Sequence, residues 1–238
     1  MGRAYNVRKE SIQKTGALKA KLYSMYAKEI YLAAKSGTDP NTNINLKRLI
    51  EKAKKEQVPG DVIKRAIDKV TSGVGENYIS VKYEIIGPSG STLILEGLTD
   101  NTNRTLSDIR PALNKYNGKL GVANSVDYLY DHLSVVSFKY DNEEEILEIL
   151  LENGIEIDDL EKESDIITVY GLPHDLYNIK ETIIAKLGDI EFIIDEIVML
   201  PKEKIILKEK DLEDFNKMLD KLNELDDIAK ISHNVEIL

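Results

Sequence analysis

The chain has no cysteine and only three histidines among its 238 residues. Without cysteine there is no disulfide, no thiolate nucleophile and no thiolate metal ligand, so a disulfide-stapled secreted fold is excluded. The histidines His132, His174 and His233 stand far apart in the sequence, which disfavours a metal site. We therefore expect no bound metal and no cofactor.

Long apolar runs are also missing. No stretch approaches the roughly eighteen apolar residues of a membrane span, and the first residues lack the apolar core of a signal peptide. The sequence contains no GxSxG elbow, no Walker loop and no dinucleotide-binding fingerprint. We expect a cytoplasmic protein that is not an enzyme and that has neither a membrane partner nor a small-molecule substrate.

Charge is distributed very unevenly along the chain. The formal net charge is −10, yet residues 1–72 hold 16 Lys and Arg against 7 Asp and Glu, whereas the remaining residues hold 16 against 35. A basic segment joined to an acidic body is typical of a protein that binds a polyanion. The alternative is that lysine-rich helices simply have solvated faces.

The basic segment has the pattern of three helices. Apolar residues recur at steps of three and four over Ser11–Lys35, and again over Leu46–Ala53 and Val62–Val70. Pro40 and Pro59 separate these stretches. Three short helices sharing one core would leave their lysines and arginines outside.

Beyond residue 77 the pattern changes to strands. ISVKYEII and STLILEGL flank a GPSG turn and predict a hairpin, and GKLGVANSVDYLY predicts a turn followed by a strand over Val126–Tyr130. Residues 134–200 show the order strand-helix-strand-strand-helix-strand, which is that of a ferredoxin-like unit. The C-terminal tail supplies a strand, a helix and a last strand, which are too few for a domain of their own.

These patterns predict an α+β fold with three domains. We expect a basic helical domain over residues 1–76, built from three helices. A discontinuous α/β middle domain would follow, formed by residues 77–133 together with 201–238. A ferredoxin-like α/β domain over residues 134–200 would be inserted into it.

The stretch GLTDNTNRTLSDIR connects a predicted strand to a predicted helix. Thr105 and Asp108 have capping-box spacing, which predicts that the helix starts at Thr105. Arg104 then precedes a helix N-terminus, where a cation is unfavourable unless a phosphate or an internal carboxylate lies near. Pro111 should bend this helix or delay its regular start.

Two further groups of residues have alternative interpretations. Tyr23, Tyr26 and Tyr31 could stack on bases, or they could be partly buried in a helical core. The acidic run over Glu143–Glu145 could hold a cation, but it also complements the dipole of a helix capped by Asn142, and we favour that structural role.

Several segments carry a resemblance to a known family: DPNTNINLKRLIEKAKKEQVP with IKRAI, LTDNTNRT, GKLGVANSVDYLYD, and KLNELDDIAKISHNVEI. They resemble the YebC/PmpR family, which includes the mitochondrial translational activator of cytochrome c oxidase. The resemblance covers nearly the whole chain and implies a three-domain, non-enzymatic, nucleic-acid-binding regulator. The start MGRAYNVRKES departs from the family's usual GHSKWANIKHRK, so contacts of these residues do not carry over.

The resemblance implies a DNA-binding transcriptional regulator whose partner is duplex DNA. One alternative is a ribosome-associated translation factor that relieves stalling and contacts ribosomal RNA or tRNA. Another is a scaffold for protein interactions.

The candidate phosphate contacts are the cations of the basic segment. The first set is Lys47, Arg48, Lys52, Lys54, Lys55, Lys64, Arg65 and Lys69. The second set is Arg3, Arg8, Lys9, Lys14, Lys19, Lys21 and Lys28. The motif residues of undetermined role are Asp100, Asn101, Asn103, Arg104 and Thr105. Because these motif residues lie in the acidic body, we favour a structural or interdomain role for Arg104.

Overall fold

A computed structural model describes residues 18–73, 75 and 77–236 of the chain. The fold is α+β, with three N-terminal helices followed by two four-stranded antiparallel sheets and their helices. The described residues divide into two compact units, one of residues 18–127 with 204–236 and the other of residues 128–203.

The three predicted N-terminal helices are present. They are α1 (Leu18–Ala34), α2 (Ile44–Lys55) and α3 (Gly60–Thr71). Their shared core includes Ile30, Leu46 and Ile63, all buried. Asn43 caps α2 by accepting a hydrogen bond from the Leu46 amide, and its own amide group donates to backbone carbonyls at the end of α1. One side chain thus fixes the angle between two helices.

The first sheet has the strand order β3-β1-β2-β8. Its elements are β1 (Ile79–Ile86), β2 (Thr92–Thr99), α4 (Thr102–Lys115), β3 (Lys119–Leu120), α7 (Glu209–Asn223) and β8 (Ile228–His233). Helices α4 and α7 contribute Ile109, Leu113, Phe215 and Met218 to a core on the sheet. The last strand therefore completes a sheet whose other strands lie more than a hundred residues earlier.

The second sheet has the strand order β5-β6-β4-β7, and every neighbouring pair is antiparallel. Its elements are β4 (Tyr130–Lys139), α5 (Glu143–Glu152), β5 (Ile157–Glu163), β6 (Ile166–Gly171), α6 (Leu176–Leu187) and β7 (Phe192–Pro201). Asn142 caps α5 by accepting a hydrogen bond from the Glu145 amide, as the sequence predicts. Residues Glu143–Glu145 thus occupy the first turn, where their charge complements the helix dipole.

The predicted strand over Val126–Tyr130 is wrong. Residues Asp127–Leu129 form a 3-10 turn, and β4 begins only at Tyr130. The reason is the buried carboxylate of Glu84, which accepts hydrogen bonds from the backbone amides of Asn124, Val126 and Asp127 at 2.6, 2.6 and 3.0 Å. Amides bound to a side chain cannot also pair with a strand.

The predicted start of α4 at Thr105 is wrong as well. The helix begins at Thr102, and Asn101 is its cap because its side chain accepts a hydrogen bond from the Arg104 amide. Pro111 lies inside this helix and does not delay its start.

We predict that Glu84→Gln destabilises the protein. Burial raises the pKa of Glu84, but the hydrogen bonds from the Val126, Asn124 and Asp127 amides outweigh burial and lower it. A neutral amide binds three amide donors less well and points an N–H group at one of them. The free energy of unfolding should fall by about 2 kcal/mol, measured by urea denaturation at pH 7. The exposed Glu203→Gln is the control, and equal midpoints for the two variants would contradict the prediction.

Candidate nucleic-acid interface

The residues of the LTDNTNRT motif gather around one carboxylate, that of Asp227. It lies directly before β8, and its side chain is only 11% exposed. Oδ1 accepts a hydrogen bond from Lys28 Nζ at 2.8 Å, and Oδ2 accepts one from Arg104 Nη2 at 3.0 Å. The hydroxyl groups of Thr99 and Thr105 donate to Oδ2 at 3.0 and 2.9 Å. One carboxylate therefore joins α1, β2, α4 and the segment before β8.

Lys28 is directed into the first unit and away from solvent. Its ammonium group donates to Asp227 and to the backbone carbonyls of Leu98 and Asp226, at 3.2 and 3.1 Å. Three acceptors match the three donors of an ammonium group. The side chain is 12% exposed, so Lys28 fixes α1 against the sheet.

Arg104 bridges two carboxylates. Its Nη2 donates to Asp100 Oδ1 at 2.6 Å and to Asp227 Oδ2 at 3.0 Å. These hydrogen bonds raise the pKa of Arg104 above its usual value, and the bond to Asp227 has the larger effect. The sequence left open whether a phosphate or an internal carboxylate stands beside this arginine, and the structure places two internal carboxylates there.

The main chain at Asp227 also approaches the sheet closely. The Leu98 amide donates to the Asp227 carbonyl at 3.0 Å, next to a register shift in the pairing of β2 with β8. A Cβ at Gly97 would lie 1.9 Å from that carbonyl oxygen, so only glycine fits there. The position of the Asp227 main chain, and with it that of the side chain, therefore depends on this close contact with Gly97 and Leu98.

An open cleft of about 420 Å³ lies beside this cluster. It is lined mainly by polar residues, which are Ser24, Lys28, Tyr78, Asp100, Arg104, Thr105, Asp108 and the segment Glu224–Asp227. Burial alone would raise the pKa of Asp227, but hydrogen bonds from Lys28, Arg104 and Thr105 lower it to about 2. The charges of the cluster are therefore fixed near neutral pH, which suits a structural junction better than proton transfer.

Helix α2 carries five of the predicted phosphate contacts, and all five are at least partly exposed. Lys47, Lys54 and Lys55 are exposed, and Arg48 and Lys52 are partly exposed. The buried residues Leu46, Ile50 and Ala53 occupy the other side of the helix.

The cations of α3 stand among carboxylates. Lys64 and Arg65 are exposed and Lys69 is partly exposed, but Arg65 forms an ion pair with Asp61, one turn away. Helix α2 therefore carries more cations and fewer carboxylates than α3 does.

The second set of cations is not brought together as one surface. Lys19 is exposed, whereas Lys21 Nζ donates to the Asn223 carbonyl at 2.7 Å. Burial lowers the pKa of Lys21 to about 8. Lys21 thus binds the last residue of α7 and Lys28 binds Asp226 and Asp227 before β8, while Arg3, Arg8, Lys9 and Lys14 lie outside the described residues.

The tyrosines of α1 are buried or partly buried, Tyr23 and Tyr26 in the helical core and Tyr31 in edge contact with the ring of Tyr78. Tyr26 and Tyr31 are each 3% exposed, and Tyr23 is partly buried against the same cluster. Their burial leaves no broad aromatic surface on which bases could stack.

Sequence reasoning missed Asp227, Thr99 and the inward role of Lys28. Asp227 lies 199 residues from Lys28 and 123 from Arg104, so no local spacing relates them. The sequence signal for Thr99 and Asp227 is that the segments containing them, LTDNTNRT and LDDIAKISHN, resemble the same family.

Within residues 18–73, 75 and 77–236, no group of three or more His, Asp or Glu side chains is arranged to hold a metal ion. No helix in that part of the chain is long and apolar enough to cross a membrane.

We predict that Asp227→Asn lowers stability and flattens its acid dependence. Removing the charge leaves Lys28 without its counterion, which should cost about 3 kcal/mol at pH 7. Because the folded pKa of about 2 lies below the unfolded value of 3.8, this contribution is present above pH 3.8. It is lost as the pH falls toward 2.

Urea denaturation between pH 7 and pH 2 tests this prediction. The unfolding free energy of the wild type should fall more steeply below pH 4 than that of the variant. Asp226→Asn is the matched control, because Asp226 uses only its backbone carbonyl to bind Lys28. Parallel pH curves for wild type and Asp227→Asn would show that Asp227 is not the titrating junction.

Comparison with known proteins accounts for the whole chain. Residues 3–73 match the model of the TACO1/YebC protein N-terminal domain, and residues 78–235 match that of the TACO1/YebC second and third domain. A protein of Acholeplasma laidlawii is 47% identical over 237 residues, covering 99% of this chain and 98% of its own. One of Alcanivorax borkumensis is 41% identical over 238 residues, covering all of both chains. Each is named a probable transcriptional regulatory protein.

A solved structure has the same fold. The crystal structure of a conserved hypothetical protein from Aquifex aeolicus matches with a TM-score of 0.74 and 32% identity, covering 93% of this chain and 92% of that one. The sequence matches and the common fold agree: the chain belongs to the TACO1/YebC family, a family of non-enzymatic regulatory proteins.

Proposed function

We propose that this protein is a transcriptional regulator that binds duplex DNA through helix α2. The observation that carries the proposal is the charge of that helix. Its twelve residues contain five cations and one carboxylate, and all five cations are at least partly exposed. Relatives that are named probable transcriptional regulatory proteins support the same role.

The contrast with α3 supports the choice of α2. Helix α3 has three cations and two carboxylates in the same number of residues, and one of its cations is paired internally. A phosphate backbone approaching this region would find the higher potential along α2. We propose Lys47, Arg48, Lys52, Lys54 and Lys55 as the main contacts, with Lys64, Arg65 and Lys69 at the margin.

Phosphate contacts give affinity without sequence information. The three helices contain no recognised base-reading module, so we expect weak sequence preference and strong dependence on salt. A cytoplasmic location, where bacterial DNA is accessible, is part of this proposal.

We also propose the three-domain division predicted from the sequence, over residues 1–76, 77–133 with 201–238, and 134–200. The strand order β5-β6-β4-β7 supports a ferredoxin-like inserted domain. The pairing of β8 with β2 supports a discontinuous middle domain, because it joins strands from opposite sides of the insertion.

We predict that Lys47→Glu combined with Lys54→Glu strongly weakens DNA binding and preserves the fold. The two lysines are two turns apart on one side of α2, and both are exposed. Fluorescence anisotropy with a 30-base-pair duplex in about 0.1 M salt should show at least a tenfold loss of affinity. The plot of log affinity against log salt concentration should become less steep, with the magnitude of its slope smaller by about two.

The matched control is Lys186→Glu combined with Lys208→Glu, which changes the net charge equally at exposed lysines elsewhere. Equal affinities for the two double variants would rule out α2 as the contact surface. Crosslinking in cells followed by sequencing of bound nucleic acid tests the physiological target. Recovery of ribosomal RNA in place of promoter DNA would indicate a role in translation and contradict a role in transcription. Recovery of neither nucleic acid would favour a scaffold for protein interactions.

A further inference from the structure

A second basic region lies within the acidic part of the chain. Residues 109–126 contain Arg110, Lys115 and Lys119 and not one carboxylate, although the chain after residue 72 has 35 Asp and Glu against 16 Lys and Arg. All three cations are exposed. Such a gap in an otherwise acidic body leaves a local surface that does not repel a polyanion.

The cations of this region are not consumed by internal ion pairs. Among the described residues, Arg110 and Lys119 have no carboxylate within ion-pair distance, and the Lys115 ammonium lies 5.4 Å from the ring centroid of Tyr116. Asp127, directly after this region, and Asp211, in the cleft with Lys119, have hydrogen-bond partners of their own. Asp127 accepts from Lys82 Nζ at 2.8 Å, and Asp211, which shares a cleft with Lys119, accepts from the Ser89 hydroxyl at 2.6 Å.

The loop after Lys119 is held in one conformation. The Glu84 carboxylate binds the amides of Asn124, Val126 and Asp127, and the Gly121 amide donates to the Glu84 carbonyl at 2.7 Å. A Cβ at Gly121 would lie 2.3 Å from the Ser125 hydroxyl oxygen. Glu84 thus holds both ends of this loop against the first sheet, one end through its carboxylate and the other through its main-chain carbonyl.

The braced loop presents an apolar tip to solvent. Val122 is 77% exposed, and Leu120 beside it is 38% exposed. A side chain in this position contributes little to the core, because most of its apolar surface stays in water. A rigid loop with an apolar tip and flanking cations has the chemistry of a nucleic-acid contact, in which cations bind phosphates and an apolar group packs on sugars or base edges.

We propose that residues 109–126 form a second nucleic-acid contact, with Lys115 and Lys119 on phosphates and Val122 against the sugar or base edges. This inference rests on the nucleic-acid binding proposed for α2 and adds a separate contact to it. Glu84 is the positioning residue of the new contact, because it holds the loop and does not reach the ligand.

The test uses the full chain and the same 30-base-pair duplex, with affinity measured between about 0.05 and 0.2 M salt. Lys115→Ala combined with Lys119→Ala should weaken binding about tenfold at the upper salt concentration. The slope of log affinity against log salt concentration should become smaller in magnitude by about two. Val122→Ser should weaken binding about threefold with the slope unchanged, since it removes an apolar contact and no charge.

Two controls match these variants in chemistry. Lys186→Ala with Lys208→Ala removes two exposed cations elsewhere, and Ile206→Ser removes an apolar side chain that is 69% exposed. All substitutions are on the surface, and unchanged thermal unfolding confirms that each variant is folded.

The outcomes separate this inference from the function on which it rests. Loop variants that bind like their controls, while the α2 double variant fails to bind, would overturn the second contact and leave the α2 proposal standing. A wild-type chain with no affinity for the duplex would overturn both. A less steep salt dependence of the affinity in the lysine variant, together with weaker binding by Val122→Ser, would support the second contact.

Discussion

The first unit depends on a largely desolvated carboxylate, that of Asp227. A carboxylate removed from water is tolerated only when its oxygens are fully paired. Here the partners are two cations and two hydroxyl groups that come from α1, the end of β2 and the start of α4. Since none of these elements can move away without leaving a buried charge unpaired, the junction fixes the three-helix region against the first sheet.

Glu84 follows the same principle at the other side of that sheet. Its carboxylate accepts three backbone amides from an irregular loop, so the loop needs no strand partner to satisfy its main chain. In a chain without cysteine, hydrogen bonds to buried carboxylates supply the local rigidity that a cross-link could otherwise give. Both carboxylates have pKa values held below their usual range, which keeps them charged in the conditions where the protein is folded.

Sequence patterns correctly predicted those helices whose positions depend on residues close together in the chain. Apolar periodicity located α2 and α3, and the Asn142 cap located the start of α5, because those signals lie within one or two helical turns. The errors share one cause. Val126 is not in a strand because Glu84, 42 residues away, binds its amide. Lys28 faces inward because Asp227, 199 residues away, binds its ammonium group. Thr105 has the spacing of a cap, but a distant carboxylate uses its hydroxyl, and Asn101 caps the helix instead.

The cations of the basic segment therefore have two different roles, which the fold distinguishes and the sequence does not: some bind groups inside the first unit and others face solvent. Lys28 pairs with Asp227 and Lys21 binds the carbonyl of Asn223, so both ammonium groups are used inside the first unit although the sequence places them in the basic region. The cations of α2 lie on a helix whose apolar side is buried, so their charge faces outward. Since the acidic body repels polyanions, attraction is confined to the few surfaces where cations outnumber carboxylates. Under the proposed function, repulsion by the acidic body would orient an approaching polyanion as much as attraction to the basic surfaces would.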